Sequence, residues 1–296
     1  MSFVFQNKAI RLEGKRACYE VNIEKHESSA SVVQETLKRE ITDGEFNDAR
    51  ERREPSFTGV QDYDEAIHLF RDGWRDGVDR LRKAIGQIQT SNIRAHVFKN
   101  DVQGFAPIVP HALLGLPQSM VSSAIVAKKT KTISILYDMT ISCDNSPNVI
   151  VENGLKMLQV VVRLEQEGYR VELSALQSYA DERSADCLMV KLKGANQFLD
   201  LKRIGFPVAH SAFFRVIGFD WYSRFPQGKY RSGYGSAFAY RRGEWFGSPS
   251  GFAKFIEDAF GRNSVYISGV DIQKNGINYI IETLKKGKAA WDKIGG

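Results

Sequence analysis

The sequence has little cysteine and no long hydrophobic run. Its three cysteines (Cys18, Cys143 and Cys187) are too few and too scattered for a disulfide scaffold or a cysteine-based zinc site. No apolar run approaches the roughly 20 residues of a membrane-spanning helix, and the N-terminal residues lack the long apolar region of a signal peptide. We therefore expect no membrane partner and a reducing, cytoplasmic location, which would be the host cytoplasm for a viral protein.

The sequence also lacks the common catalytic motifs. It contains no P-loop, no G-x-G-x-x-G after a predicted strand, no H-E-x-x-H and no G-x-S-x-G. The five histidines are remote from one another in the sequence: His26, His68, His96, His111 and His210. We expect a protein that is not an enzyme and that needs no cofactor or metal. A nuclease or another nucleic-acid enzyme stays open as an alternative to this expectation.

The excess positive charge lies in the last third of the chain. The net charge is +6, and residues 201–296 carry 15 basic against 7 acidic side chains, whereas residues 1–105 and 106–200 are each balanced to within one charge. The last third also holds 19 of the 33 aromatic residues. Cations follow phosphates and exposed rings stack on unpaired bases, so this combination favours a single-stranded nucleic acid as a partner.

The hydrophobic periodicity predicts a mixed α/β protein. Alternating residues 2–12 and 16–24 indicate an N-terminal hairpin. A helical pattern over 149–167 lies between strand patterns at 131–137 and 169–176, and such a β-α-β unit implies parallel pairing. The predicted fold class is α/β (or α+β): a mixed, partly parallel central sheet flanked by helices, with an N-terminal hairpin and helical layer.

The domain organisation follows from this pattern. Residues 1–105 are expected to form the N-terminal hairpin and helical layer, and residues 106–296 an α/β core that packs with it as one unit. Residues 101–120 contain three prolines and two glycines, which predicts an irregular, largely apolar connection across the surface.

The clearest candidate for a binding site is the aromatic and basic segment of residues 219–246. Ten of its 28 residues are aromatic, five are basic, and glycines divide it into short pieces, which is typical of a loop or ribbon with partly exposed rings. The alternative interpretation is that the rings belong to the core and that the lysines near the C-terminus only favour a helix dipole. The candidate nucleic-acid-binding residues are Trp221, Tyr222, Arg224, Lys229, Tyr230, Arg231, Tyr234, Tyr240, Arg241, Arg242, Trp245, Lys285, Lys286 and Lys288.

A second motif follows the predicted strand at 131–137. Asp138, Thr140 and Ser142 form a D-x-T-x-S pattern that resembles the metal-ion-dependent adhesion motif of von Willebrand A-type domains, in which oxygen ligands hold Mg²⁺. The family's usual form is D-x-S-x-S, and its later ligands have no clear counterpart here, with Asp181 the nearest candidate. We favour the simpler interpretation of a polar loop with a helix-capping side chain, without a metal.

Several short segments resemble a family of phage-encoded proteins with a degenerate A-domain-like core. They are Phe57–Gly59, Arg71–Trp74, Leu114–Met120, Glu165–Glu172 and Val265–Gly269. This resemblance implies that the metal motif is usually lost. In size, basic balance and aromatic content, the chain is further similar to the Drc-like family of single-stranded-DNA-binding RNA polymerase cofactors of Schitoviridae-type short-tailed phages. That resemblance implies the phage RNA polymerase as a second partner.

The predicted function is therefore binding of single-stranded DNA with little sequence preference. As the resemblance implies, the protein would act as a phage transcription cofactor that recruits the phage RNA polymerase to melted promoters. The alternative is a non-catalytic, A-domain-like interaction module, with or without Mg²⁺, or an inhibitor of a host factor. The sequence does not indicate an oligomeric state.

Overall fold

A computed structural model of the protein describes residues 3–12, 18–40, 54–86, 96–125, 131–226 and 236–293. Its strands are β1 (Phe3–Arg11), β2 (Cys18–His26), β3 (His96–Asp101), β4 (Ala106–Pro107), β5 (Met120–Ile125), β6 (Thr132–Asp138), β7 (Arg170–Ala180), β8 (Ser184–Lys193) and β9 (Ser264–Ser268). Six of them form a mixed sheet in the order β1-β2-β8-β7-β6-β9, and the other three form a small sheet in the order β3-β5-β4.

The helices are α1 (Ser29–Thr36), α2 (Pro55–Thr58), α3 (Tyr63–Asp72), α4 (Arg75–Gly86), α5 (Val109–Leu113), α6 (Pro147–Gln166), α7 (Leu201–Ala209), α8 (Phe219–Ser223), α9 (Arg242–Phe246), α10 (Pro249–Phe260), α11 (Gly269–Asn275), α12 (Ile277–Lys286) and α13 (Lys288–Asp292). A π-helical stretch, Phe213–Gly218, leads into α8, and a 3-10 turn, Phe238–Tyr240, precedes α9. None of the helices in these described ranges combines the length and the hydropathy that a bilayer crossing requires.

The predicted fold class is confirmed. β1 and β2 form the N-terminal antiparallel hairpin, and β6 pairs with β7 in parallel, as the β-α-β pattern predicts. The hairpin does not stand apart from the core, because β2 also pairs in parallel with β8 and so extends the main sheet. The turn that joins the two predicted strands, at residues 13–15, lies outside the described residues.

The main sheet is covered on both faces. One face packs against α6, α7, α11 and α12, where the side chains of Leu158, Val161 and Phe206 are buried. The other face packs against α10, where Phe255 and Ile256 are buried. Because β-α-β crossovers place helices on the faces of a parallel sheet, the central strands read as nearly continuous apolar runs.

The small sheet differs from the sequence prediction. Residues 101–120 were expected to form an irregular connection over the core, but they contribute to β3, β4, α5 and β5. The expected domain boundary at residues 105 and 106 falls inside this small sheet, directly before β4. The prolines are accommodated because Pro107 lies in a two-residue strand and Pro110 in the first turn of α5.

Candidate functional site

The main sheet has a topological switch point at the carboxyl end of β6. Both neighbours of β6, β7 and β9, pair with it in parallel. The helix that follows β6 packs on one face of the sheet, and the helix that precedes β9 packs on the other. Ligands of open α/β sheets bind in the crevice that forms at such a point. The loop that borders this crevice, residues 139–146, ends where Pro147 begins α6.

A cleft of about 700 Å³ lies against this loop, and aromatic rings line much of it. Phe57 comes from α2, Phe219 from α8, and Tyr240 from the 3-10 turn. The ring centroids of Phe57 and Phe219 are 6.3 Å apart, and 43% of the Tyr240 surface is exposed. The volume falls within the range of about 300–1,000 Å³ that small-molecule sites occupy.

One cation, Arg215, is buried in the wall of the cleft. It lies in the π-helical stretch and is only 2% exposed. Its guanidinium donates to the main-chain oxygens of Phe57 (2.8 Å), Ser142 (3.2 Å) and Asn145 (2.7 Å), and it lies 4.0 Å from the centroid of the Phe57 ring. Burial lowers the pKa of Arg215 to about 10, so the guanidinium stays charged at neutral pH.

Arg215 has no acidic partner among the residues that the structure describes, and its Nε atom has no hydrogen-bond partner there. A buried charge is costly unless it is paired and fully hydrogen-bonded. Three carbonyl dipoles offset part of this cost, and a negatively charged ligand would offset more. The cleft therefore combines ring faces with a positive charge that no described carboxylate pairs with, which suits an anionic, aromatic ligand.

Two residues predicted from the sequence line this cleft, Tyr240 and Arg241. The Tyr240 hydroxyl accepts a hydrogen bond of 3.1 Å from the main-chain nitrogen of Ser142, which ties the 3-10 turn to the loop after β6. Arg241 is exposed and forms a surface ion pair of 2.6 Å with Glu244. Exposed ion pairs of this kind are weak, at about 0–1 kcal/mol, so Arg241 can exchange Glu244 for a ligand.

Two residues of the D-x-T-x-S motif, Thr140 and Ser142, line the cleft, whereas Asp138 does not. Asp138 is fully buried, and its carboxylate accepts hydrogen bonds from the Tyr266 hydroxyl (2.5 Å), the Ser178 hydroxyl (2.9 Å) and the Thr140 main-chain nitrogen (2.9 Å). Burial raises the pKa values of both Asp138 and Tyr266. The Ser142 hydroxyl donates a hydrogen bond to the carboxylate of Asp144. Within the described ranges, no group of three or more His, Cys, Asp or Glu side chains is placed to hold a metal ion.

The expected exposure of three rings is wrong. Trp221 is fully buried, and Tyr222 and Trp245 are each 5% exposed. Tyr222 stacks on Tyr179 with ring centroids 4.4 Å apart, and Trp221 packs 4.7 Å from the Phe225 ring. The segment expected to be a loop or ribbon begins with α8 and ends with α9, and both helices turn their large rings into the core. These three rings cannot stack on a base in this arrangement.

The expected exposure of two cations is also wrong. Arg224 donates to Asp220 at 3.0 Å and to the main-chain oxygen of Arg39 at 2.5 Å. Arg242 is buried and forms a two-point ion pair with Asp271. Both side chains compensate a buried carboxylate, so neither guanidinium is available for a phosphate in this arrangement.

The remaining predicted residues are divided between the C-terminal helices and the undescribed part of the chain. Lys285 pairs with Glu167 and Glu282, and Lys288 with Glu257 and Asp292, whereas Lys286 is exposed. None of these three lysines lines the cleft. The other four candidates lie outside the described residues: Lys229, Tyr230, Arg231 and Tyr234.

Sequence reasoning missed Arg215, Phe57 and Phe219. One signal for Arg215 was present, because it is the single charge in the apolar run of residues 211–219. A lone arginine in a buried run needs a partner, and its position is therefore informative. Phe57 carried no such signal, because it is 158 positions away from Arg215 in the chain.

Comparison with known proteins gives one match. A family model described as a domain of unknown function, DUF7192, matches residues 16–293. No curated protein and no solved structure matches the chain.

Proposed function

The chain belongs to the DUF7192 family, which is described as a domain of unknown function, so we propose a function from the residues of the cleft: the protein binds single-stranded DNA with little sequence preference. An unpaired base enters among Phe57, Phe219 and Tyr240, and the adjacent phosphates lie toward Arg215 and Arg241. The observation that carries the proposal is the buried guanidinium of Arg215, which lacks an acidic partner in the described residues and lines an aromatic cleft.

The chemistry of the cleft agrees with a single strand better than with a duplex. Stacking of a base on an aromatic ring contributes roughly 1–3 kcal/mol and tolerates any base, whereas a paired base does not expose its faces. The positive balance of residues 201–296 adds long-range attraction for a polyanion. Affinity should therefore fall with salt, by a log–log slope of about −0.7 for each phosphate contact.

The first test is fluorescence anisotropy with labelled oligo-dT and a duplex of the same length. We expect Tyr240→Ala to weaken oligo-dT binding about 5- to 150-fold, which corresponds to the loss of one stack. Tyr279→Ala is the matched control, because Tyr279 is 45% exposed on α12 and does not line the cleft. Equal binding to both nucleic acids, or equal losses in both variants, would reject the proposal.

The second test concerns the phosphate contacts. Arg241→Glu should weaken oligo-dT binding and reduce the salt slope by about 0.7 or more. Arg82→Glu is the control, because Arg82 also forms an exposed i,i+3 pair, with Asp79, on a helix that does not line the cleft. An unchanged salt slope in Arg241→Glu would remove this residue from the proposed site.

The third test uses the two exposed cysteines of the wild-type chain. Cys143 lines the cleft, whereas Cys18 is exposed at the start of β2, which does not line it. Bound oligo-dT should slow the modification of Cys143 by a thiol reagent and leave the rate at Cys18 unchanged. Peptide mapping by mass spectrometry distinguishes the two sites, and equal rates at Cys143 with and without oligo-dT would contradict binding in the cleft.

The resemblance to Drc-like phage cofactors extends the proposal to transcription: the DNA-bound protein recruits the phage RNA polymerase to melted promoters. In vitro transcription by the RNA polymerase of the same phage, on a template with a pre-melted promoter, tests this role. We expect added wild-type protein to raise transcript yield and Tyr240→Ala to lose the effect. If yield is unchanged while oligo-dT still binds, the chain binds DNA without this role.

A further inference from the structure

A second surface of the molecule is exposed and apolar. We define the apolar arm as residues 96–125, which form β3, β4, α5 and β5. Six large hydrophobic side chains of the arm are exposed within 15 consecutive residues: Val102, Phe105, Val109, Leu113, Leu114 and Leu116. Leu113 is 82% exposed and Leu114 is 74% exposed. Exposed hydrophobic side chains that are concentrated in one short segment point to an interaction site, because single scattered ones are normal but such concentrations are not.

The arm is also almost free of charge. Residues 102–127 contain no Asp, Glu, Lys or Arg, although charged residues make up 26% of the chain. Its only titratable side chain in that stretch is His111. The two charged residues of the arm, Lys99 and Asp101, lie before this stretch in β3, so the stretch offers no cation to a nucleic-acid phosphate. It also lacks the Lys and Arg residues that typically accompany apolar side chains in segments that bind a membrane surface.

The size and neutrality of the patch fit a second copy of the chain. If each of the six side chains buries about 60–120 Å², one protomer contributes about 360–720 Å², and the upper part of this range reaches the roughly 600 Å² per partner of the smaller standard interfaces. In a two-fold contact each patch meets its own copy, so any net charge would repel itself. A neutral patch avoids this repulsion, whereas the rest of the chain carries the whole net charge of +6.

We infer that the apolar arm mediates self-association of the protein into a two-fold dimer. Among the strands that the structure describes, β3 is an end strand of the small sheet, and end strands are where a sheet accepts a further strand from another chain. The inference is independent of nucleic-acid binding, since the arm and the cleft share no lining residue.

The test is the mass of the full chain in solution, measured without nucleic acid by sedimentation velocity over a dilution series in the micromolar range. We expect a species of twice the 33.4 kDa chain mass. The double variant Leu113→Ser/Leu114→Ser should raise the dimer dissociation constant by more than about 100-fold. Both side chains are mostly exposed, so the circular dichroism spectrum of the variant should match that of the wild type and show that it is folded.

Phe198→Ser is the matched control, because Phe198 is 98% exposed but lies outside the arm. It should leave the dimer intact. A wild-type chain that is monomeric at all concentrations would overturn the inference, as would a dimer that the double variant leaves unchanged. A monomer that floats with neutral phosphatidylcholine vesicles would also overturn it and assign the arm to a membrane surface.

A charge-swap experiment distinguishes contact between two copies of the arm from contact between the arm and another surface. Leu113→Lys and Leu113→Glu should each be monomeric, because each places like charges in a two-fold contact. Mixing the two variants in equal amounts should restore the dimer mass. If each variant alone dimerises as the wild type does, or if the mixture stays monomeric, the proposed two-fold contact is rejected.

Discussion

Arg242 and Asp271 form a buried ion pair at two points. The guanidinium of Arg242 donates to the Asp271 carboxylate at 2.8 Å and 2.6 Å, and the same carboxylate accepts from the main-chain nitrogen of Ser268 at 2.7 Å. The guanidinium also lies 4.9 Å from the ring centroids of Phe252 and Tyr266. The pair therefore fastens α9 to the N-terminus of α11. Arg242, which the sequence analysis predicted as a nucleic-acid contact, instead stabilises the packing of the C-terminal helices.

The first prediction is that Asp271→Asn destabilises the protein by about 3–5 kcal/mol, because it leaves the Arg242 charge buried without its counter-charge. Urea unfolding followed by circular dichroism measures this loss. Glu244→Gln is the control, since Glu244 pairs with Arg241 at the surface and its loss should cost less than about 1 kcal/mol. Comparable losses of stability in the two variants would show that burial does not make the loss of the Asp271 charge more costly than the loss of a surface charge.

A second prediction concerns the carboxylate of Asp138. Tyr266→Phe removes one of the donors to this buried group and should cost about 1–3 kcal/mol, which is typical when a buried acceptor loses its partner. Burial raises the pKa of Tyr266 well above its ordinary value, so the hydroxyl remains a donor across the usual pH range. Unfolding midpoints in urea provide the measurement.

Tyr240→Phe gives the comparison for Tyr266→Phe. It also removes one hydroxyl, but at the exposed mouth of the cleft, where water can replace it as a partner for the Ser142 nitrogen. We expect a cost below about 1 kcal/mol. A larger loss in Tyr240→Phe than in Tyr266→Phe would contradict the roles given to the two hydroxyls.

The third prediction is a pH dependence from His210. Burial lowers the pKa of His210 from 6.5 to about 4, and its Nδ1 atom accepts a hydrogen bond from the Ala212 nitrogen. Between pH 4 and 6.5 the unfolded chain binds a proton that the folded chain does not, so stability falls as the pH falls through this window. The wild type should lose about 2–3 kcal/mol more than His210→Gln between pH 7 and pH 4.

Urea unfolding at several pH values tests this slope. His68→Gln serves as the control, because the His68 side chain is 66% exposed. We expect its pH profile to follow that of the wild type, whereas the profile of His210→Gln should be flatter. If His210→Gln and the wild type lose stability in parallel, the buried neutral histidine is not a source of the acid sensitivity.

The elements that the sequence predicted well are those whose periodicity is local. The hairpin of β1 and β2 and the β6-α6-β7 unit follow from alternation and helical spacing that any short window contains. The small sheet was missed because the prolines and glycines of residues 101–120 mask strands that are only two to six residues long. Short strands depend on their partners, and the partners are distant in the chain.

The residues that line the cleft were predicted in part, and the failures share one cause. Tyr240 and Arg241 do line the cleft, but Trp221, Trp245 and Arg242 are buried. The arginines and glycines between the rings predicted exposed side chains, but Arg242 is buried because it pairs with the carboxylate of Asp271, 29 residues further along the chain. Composition shows which residues are available, whereas the pairing that buries a charge depends on contacts that no sequence window contains.

The last prediction concerns the contact between α6 and α7. At Gly154 of α6, a Cβ atom would lie 2.3 Å from the Cα atom of Ala209 and 2.5 Å from the main-chain oxygen of Val208. Both are backbone atoms of α7 that cannot rotate away, so Gly154→Ala forces the helices apart. We expect a loss of about 1–3 kcal/mol or more, despite the roughly 1 kcal/mol by which alanine favours a helix.

Gly243→Ala in α9 is the control, because nothing lies within 4 Å of its Cβ position, and it should be neutral or stabilising. Urea unfolding of the two variants measures the difference, and equal stability would contradict the close approach of α6 and α7.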